Sequence, residues 1–353
     1  MIEVRDLRKE YGGFVAVEGS TFTVEGGEVF GIIGPNGAGK TTTLKTLAGL
    51  LEPTDGHAEV AGFDAADPRM RQQLGFLPEE SPLYEEMTPI SYLTFFADLY
   101  DVDSEVAETR IHDTLDRLDL EYRDRPLGDM SKGMKRKVAI ARSLVNDPDV
   151  LVYDEPASGL DPLTTNYIIE FTRELADEGK TVVFSAHNLY HVESICDRIA
   201  IMNEGRIVAR GSVEELRAEY GRTTYHVYTS VPVEGSSPVE SAADERHERV
   251  VESMDAVEAT REAATAAGGR LVDIRTEEPS LERVFLDLAD GESEAERAVT
   301  RRRDGADTTD AAGAADTVAS ETGDDATTAG GGADAGTTDD TGTARAGSPG
   351  ADE

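Results

Sequence analysis

The sequence is poor in lysine, cysteine and tryptophan, and it has no long hydrophobic run. Of its 34 basic residues only seven are lysines; there is one cysteine, Cys196, and no tryptophan. A single cysteine excludes an internal disulfide and fits a reducing compartment. Apolar runs such as "VFGII" and "VLVY" fall far short of the ~20 residues that a membrane-spanning helix needs. The opening "MIEVRDLRKEYGG" lacks a basic start followed by an apolar stretch, so no secretory signal is expected. Positive charge is the largest deficit: 71 Asp and Glu stand against 34 Lys and Arg, giving a net charge of −37. Broad nucleic-acid binding needs a net basic face, and this composition argues against it. The acidic excess runs along the whole chain. At molar salt the Debye length falls to ~3 Å and exposed carboxylates largely stop repelling one another, so adaptation to a salty cytoplasm is expected over the plainer reading of an ordinary acidic protein with an acidic tail.

What is present divides into three zones. Residues 1–221 alternate short apolar strands with amphipathic helices, the pattern of an α/β domain. "EVFGII" reads as a buried strand and "KTTTLKTLAGLL" as the helix after it. "DVLVYD" and "KTVVFSAH" are further strands, separated by the helical "PLTTNYIIEFTRELADEG". Ser212 with Glu215 three residues on forms a capping box for a closing helix that Gly221 ends. Residues 222–290 form a smaller α+β unit: "TTYHVYTSV" is strand-like, "VVESMDAVEATREAATAA" helical, "RLVDIR" a strand and "PSLERVFLDLA" a short helix. From 291 to 353 there is no aromatic residue, and 15 acidic and 5 basic residues sit amid Gly, Ala, Thr and Ser. Such a segment buries too little apolar surface to offset its ordering entropy and is expected to be disordered.

Two motifs carry chemistry. "GPNGAGKTT", comprising Gly34, Pro35, Asn36, Gly37, Ala38, Gly39, Lys40, Thr41 and Thr42, matches G-x-x-x-x-G-K-[ST] between a strand and a helix. Its backbone N–H groups can cradle phosphate oxygens, with Lys40 on the β- and γ-phosphates and Thr41 on Mg²⁺. "VLVYDEP" puts Asp154 at the end of a buried strand, where a carboxylate can hold Mg²⁺ through water. Glu155 follows and is placed to polarise a water for attack on the γ-phosphate. A third stretch, "MSKGMKRK", gathers Lys132, Lys135, Arg136 and Lys137 before an apolar run.

These motifs together resemble the nucleotide-binding subunit of an ABC transporter over nearly all of residues 1–220, and the acidity resembles that of haloarchaeal proteins. The resemblance implies a P-loop ATPase domain with a helical subdomain, ATP and Mg²⁺ as its ligands, and a head-to-tail dimer with a second copy of itself. "MSKGMKRK" occupies the place of the family signature L-S-G-G-Q. Ser131 and Gly133 match it, and Met130, Lys132 and Met134 depart from it. By resemblance, Ser131 and Gly133 contact the γ-phosphate held by the other copy, and the basic cluster serves that phosphate rather than a nucleic acid, although a charged helix face would also account for Lys135 and Lys137 individually. Asp161 in "SGLDP" falls at the loop that crosses the dimer interface, His187 in "FSAH" at the switch histidine, and Tyr11 at the aromatic that stacks on adenine. Glu79, in "GFLPEESPLY", stands where the family usually has a glutamine that offers oxygen to Mg²⁺.

"LPEE" and the "PSLERVFLDL" extension are similar to those of ABC-2-type exporters. A separately encoded transmembrane permease is therefore expected as partner, with the chain held peripherally at the cytoplasmic face of the cell membrane. Residues 80–100 should meet it: Ile90, Leu93, Phe96 and Ala97 at helical spacing bury one face in this chain's own core. Pro82, Leu83, Tyr84 and Met87 precede that helix in a loop expected to be exposed as the docking surface, the alternative being that they fold back onto the core. The rival reading is a soluble ABC ATPase acting on nucleic acid or ribosomes. One cassette, and no long heptad region between Lys40 and Asp154, weigh against it.

Overall fold

A computed structural model describes residues 1–239 and 246–288; the acidic tail expected at 291–353 lies outside the described residues. The chain opens with a hairpin, β1 (Ile2–Tyr11) and β2 (Phe14–Val24). β3 (Val29–Ile33), buried at every residue, leads through the glycine-rich loop into α1 (Lys40–Leu47). That helix was expected to continue to Leu51, but it stops at Leu47. Gly49 follows at φ 65°, and a Cβ there would stand 2.4 Å from the Ala65 carbonyl oxygen. β4 (Asp55–Val60) and β5 (Phe63–Asp64) then return to the hairpin, completing an antiparallel sheet in the order β2-β1-β4-β5. Sequence patterning did not disclose this sheet, because irregularities in the β1–β2 pairing break the two-residue period.

β6 (Leu74–Leu77) precedes a layer of three helices, α2 (Pro89–Leu99), α3 (Ser104–Arg117) and α4 (Lys132–Leu144). Thr88 and Ser91 form a capping box at the start of α2. Leu93 and Ala97 are buried on its inner face as expected, with Tyr92 beside them, and Ile90 and Phe96 are half-buried. In the preceding loop Pro82 and Tyr84 are exposed, but Leu83 and Met87 turn inward and pack against the core, contrary to expectation.

The core continues with β7 (Val150–Tyr153), α5 (Pro162–Asp177), β8 (Thr181–Ala186), α6 (Leu189–Ile195), β9 (Arg198–Asn203), β10 (Arg206–Gly211) and α7 (Val213–Tyr220). The capping box of Ser212 and Glu215 starts α7, and Gly221 ends it. The central sheet runs β10-β9-β3-β8-β7-β6, parallel throughout except for the β10–β9 pair. One hydrophobic cluster joins it to the helices and a second joins it to the antiparallel sheet, where the Phe22 and Phe30 rings stack 5.4 Å apart. This is the α/β P-loop ATPase fold with a helical subdomain.

A smaller α+β sheet follows: β11 (Thr224–Thr229), β12 (Ser237–Val239), β13 (Arg246–Val251) and, after α8 (Met254–Ala266), β14 (Leu271–Glu277), in the order β12-β13-β11-β14. Val250 and Val251, read from the sequence as the start of α8, belong instead to β13; Ser253 caps the helix by accepting from the Ala256 N–H. Residues 281–288 are helical, and Leu281 and Val284 bury themselves in the large cluster. Glu193 of α6 fixes that return by accepting from Arg217 at 2.7 Å and from the Leu281 N–H at 3.3 Å.

Candidate functional site

Four adjacent strands, β3, β8, β7 and β6, deliver their C-terminal ends to one edge of the central sheet, the usual place for ligands in an open α/β sheet. β3 feeds the glycine-rich loop, β7 ends at Asp154 and Glu155, β8 ends just before His187, and β6 just before Pro78 and Glu79. A cavity of about 540 Å³ opens there, lined by Pro35–Thr42 with Tyr11, Phe14, Glu79, Glu155 and His187.

The loop's shape follows from its glycines. A Cβ on Gly34 would come within 2.3 Å of the Met202 carbonyl oxygen, and one on Gly39, at φ 100°, within 2.4 Å of the Ala16 carbonyl oxygen. Neither place admits a side chain. Lys40 is buried, its ammonium donating to the carbonyls of Gly34 at 2.8 Å and Pro35 at 3.3 Å, so that the cation bridges the loop. Thr41 and Thr42 open α1 half-buried, facing the cavity.

Across the cavity the acids are tied together. Ser185 on β8 donates to Asp154 Oδ1 at 2.6 Å and accepts from the Glu155 N–H at 2.9 Å. Asp154 is buried, whereas the Glu155 carboxylate reaches the cavity and meets His187 Nδ1 at 2.7 Å. Glu155 itself sits at φ 47°, a left-handed conformation that a non-glycine residue keeps only when its surroundings hold it. Glu79 is exposed at the rim. Loop amides, a bridging ammonium, a hydroxyl and carboxylates are the donors that a nucleotide and a hard cation require. Among the described residues no three His, Cys, Asp or Glu side chains form a metal site by themselves.

Ser131, Gly133 and Asp161 do not line this cavity. Ser131 is exposed at the start of α4 and accepts from the Met134 N–H at 3.2 Å. Gly133 lies against Thr164, whose Cγ2 would be 3.1 Å from an added Cβ. Asp161 caps α5, accepting from the Thr164 N–H and hydroxyl, and these hydrogen bonds hold its carboxyl below the usual range.

The basic run around Ser131, expected to serve a phosphate as one cluster, is dispersed. Lys135 pairs with Glu85 at 3.7 Å, and Lys137 lies over the Tyr167 ring and donates to the Asp119 carbonyl at 3.4 Å. Arg136 is buried, and only Lys132 stays exposed at the helix start. Sequence reasoning also missed Phe14, 65% exposed across the hairpin from Tyr11, and the hidden bridge Ser185. An aromatic three residues after Tyr11 was a readable signal for the first; nothing marked the second.

Comparison with known proteins agrees with this fold. The family profile described as "ABC transporter" matches residues 17–158. The linearmycin resistance ATP-binding protein LnrL of Bacillus subtilis is 32% identical over 311 residues, 82% of this chain and 98% of that protein. The Nod factor export ATP-binding protein I of Burkholderia lata is 37% identical over 235 residues, 65% of this chain and 77% of the other. Among solved structures, the dimeric structure of a bacterial ABC transporter cassette aligns with a TM-score of 0.56 at 25% identity, covering 60% of this chain and 98% of that one.

Proposed function

This chain belongs to the family of ABC transporter ATP-binding proteins, and we propose that it drives export through a separately encoded permease at the cytoplasmic face of a membrane. It binds ATP with Mg²⁺ and hydrolyses it. The observation that carries the reading is the meeting of Lys40, Glu155 and His187 around one cavity, with buried Asp154 tied to Glu155 through Ser185. In this reading the amides of Gly34–Thr42 and the Lys40 ammonium hold the phosphates, and Tyr11 stacks on the adenine. Thr41 and Glu79, with Asp154 through water, would hold Mg²⁺, which would offset the negative charge of the phosphate oxygens. Glu155 takes a proton from the attacking water. His187, bonded to Glu155 through Nδ1, keeps Nε2 for a phosphate oxygen.

Ser131, Gly133 and Asp161 stand away from this cavity, which fits a role at the site of a second copy; the related cassette noted above is itself dimeric. Export draws support from the relatives named for Nod factor export and linearmycin resistance. Among the described residues no helix is long and apolar enough to cross a membrane, and the path across it is assigned to the permease. The exposed Tyr84, edge-on to Phe95 at 6.0 Å, is the surface we assign to that partner. The test is Glu155→Gln, which should retain ATP binding and hydrolyse at least ~100-fold more slowly, as loss of a general base requires. Near-normal turnover would remove Glu155 from the role.

A further inference from the structure

Arg136 occupies the middle of the basic run yet is only 8% exposed, and among the described residues it has no carboxylate partner. Its donors go to backbone carbonyls. Nε donates to Pro156 at 2.7 Å, and Nη1 to Pro78 at 2.7 Å and Glu79 at 3.0 Å. Nη2 donates to Asp154 at 3.1 Å and Glu155 at 2.8 Å, while the Ser81 hydroxyl lies 3.4 Å from Nη1. Five carbonyl oxygens from two loops thus converge on one planar fork. One loop follows β6 and carries Glu79; the other follows β7 and carries Asp154 and Glu155.

Only arginine suits this place. Its guanidinium presents five N–H donors in fixed directions, whereas lysine offers three from a single point and glutamine two. Burial pushes its pKa down to about 10, which still leaves it charged at neutral pH. The backbone of Glu155 is consequently held from both sides: its N–H by Ser185 and its C=O by Arg136. Those two bonds, with a third from the Ser158 N–H to the Glu155 carbonyl at 3.1 Å, help keep a glutamate at φ 47°.

We propose that Arg136 is a positioning residue for hydrolysis, setting the separation of the Glu79 loop from the Asp154–Glu155 loop by hydrogen-bonding both backbones. It touches no substrate. It acts through the metal-side carboxylates and the base assigned above, and so rests on that assignment. Because Arg136 rides on α4, five residues after Ser131, a shift of that helix when a second copy is engaged would reach both loops through one guanidinium.

The test compares Arg136→Gln and Arg136→Lys with the unaltered protein, in kinetics and in Mg²⁺-dependent binding of a fluorescent ATP analogue. Arg136→Gln should lower kcat by about 10-fold or more, within the range for residues supporting a metal site, with little change in KM for ATP. It should also raise the Mg²⁺ concentration that half-saturates analogue binding. Arg136→Lys, with three donors and the charge retained, should recover part of both. Should Arg136→Gln fail to fold, the lysine variant carries the test alone, with a lowered kcat and a raised Mg²⁺ requirement. Variants that fold with unaltered kcat and Mg²⁺ requirement, or that lose only thermal stability, overturn the proposal. Glu155→Gln run alongside separates the two readings: if it is slow while the Arg136 variants behave like the unaltered protein, only the positioning role falls.

Discussion

The catalytic edge of the central sheet and the small sheet of β11–β14 are held by opposite means. At the catalytic edge Lys40, Arg136, Asp154 and Ser185 are all buried, and each is hydrogen-bonded within the protein. In the small sheet, among the described residues, the hydrophobic cluster has three buried members, Val227, Val251 and Val257, and much of the polar contact lies at the surface. There His226 joins Glu248 at 3.0 Å and Glu277 at 3.1 Å, tying three strands together. Buried polar contacts fix groups for chemistry and tolerate little change. Surface ion pairs stabilise weakly and respond to salt and pH. The difference predicts where substitutions destroy function and where they only adjust stability.

The largest effect belongs to the catalytic edge, where Glu155→Gln removes the base we propose and leaves the buried scaffold in place. Lys40→Ala should be nearly as severe. It deletes the cation bridging the loop, and both ATP binding and turnover should fall below detection in a nucleotide-binding assay; retained binding would place the phosphates elsewhere.

A smaller effect is expected at Tyr84. Because Leu83 packs inward, a charge there would disturb the core, and the docking test falls on Tyr84→Asp alone. Co-purification with the membrane partner should drop while ATPase activity persists. Normal yield of the partner would move the docking surface away from this loop.

Salt comes next. Removing residues 291–353 takes the net charge only from −37 to −27, so the shortened chain should still lose thermal stability as KCl falls from molar to ~0.1 M, where the screening length is about 10 Å. Melting temperatures flat over that range would contradict adaptation to a salty cytoplasm.

The smallest effect is the pH response of the small sheet. Hydrogen bonds to Glu248 and Glu277 raise the His226 pKa above its ordinary 6.5. A raised folded-state pKa means the stabilisation is complete below about pH 6.5 and disappears as pH climbs through the folded value. Tyr228, which donates to Glu248, and Arg275 over the Tyr228 ring share this surface. Relative to His226→Gln, the unaltered protein should lose less than about 1 kcal/mol across that window. No loss, or one of opposite sign, would show that the His226 pairs do not hold the small sheet, and a loss well above about 1 kcal/mol that they act as more than surface pairs.

How much of this was legible beforehand follows the same division. The glycine-rich loop was readable because its geometry admits glycine and lysine at fixed spacing, and Asp154 and Glu155 because they end an apolar strand. α7 was readable from its cap. β1, β2, β4, β12 and β13 were not, since bulges or charged residues such as those of "RHERVV" hide the alternation of a half-buried strand. Arg136 and Ser185 were invisible for a different reason. One stood among basic neighbours and the other in an apolar strand, and only burial and bonding partners distinguish them.

The central claim is that Ser131 and Gly133 of one copy complete the site at the glycine-rich loop of another. Light scattering on the Glu155→Gln chain, with and without ATP and Mg²⁺, tests it most directly. The account predicts conversion from monomer to dimer mass on adding ATP. Adding Gly133→Asp should abolish that conversion while each monomer still binds ATP. A dimer that forms equally well with Asp at position 133, or a Glu155→Gln chain that stays monomeric with ATP bound, would contradict it.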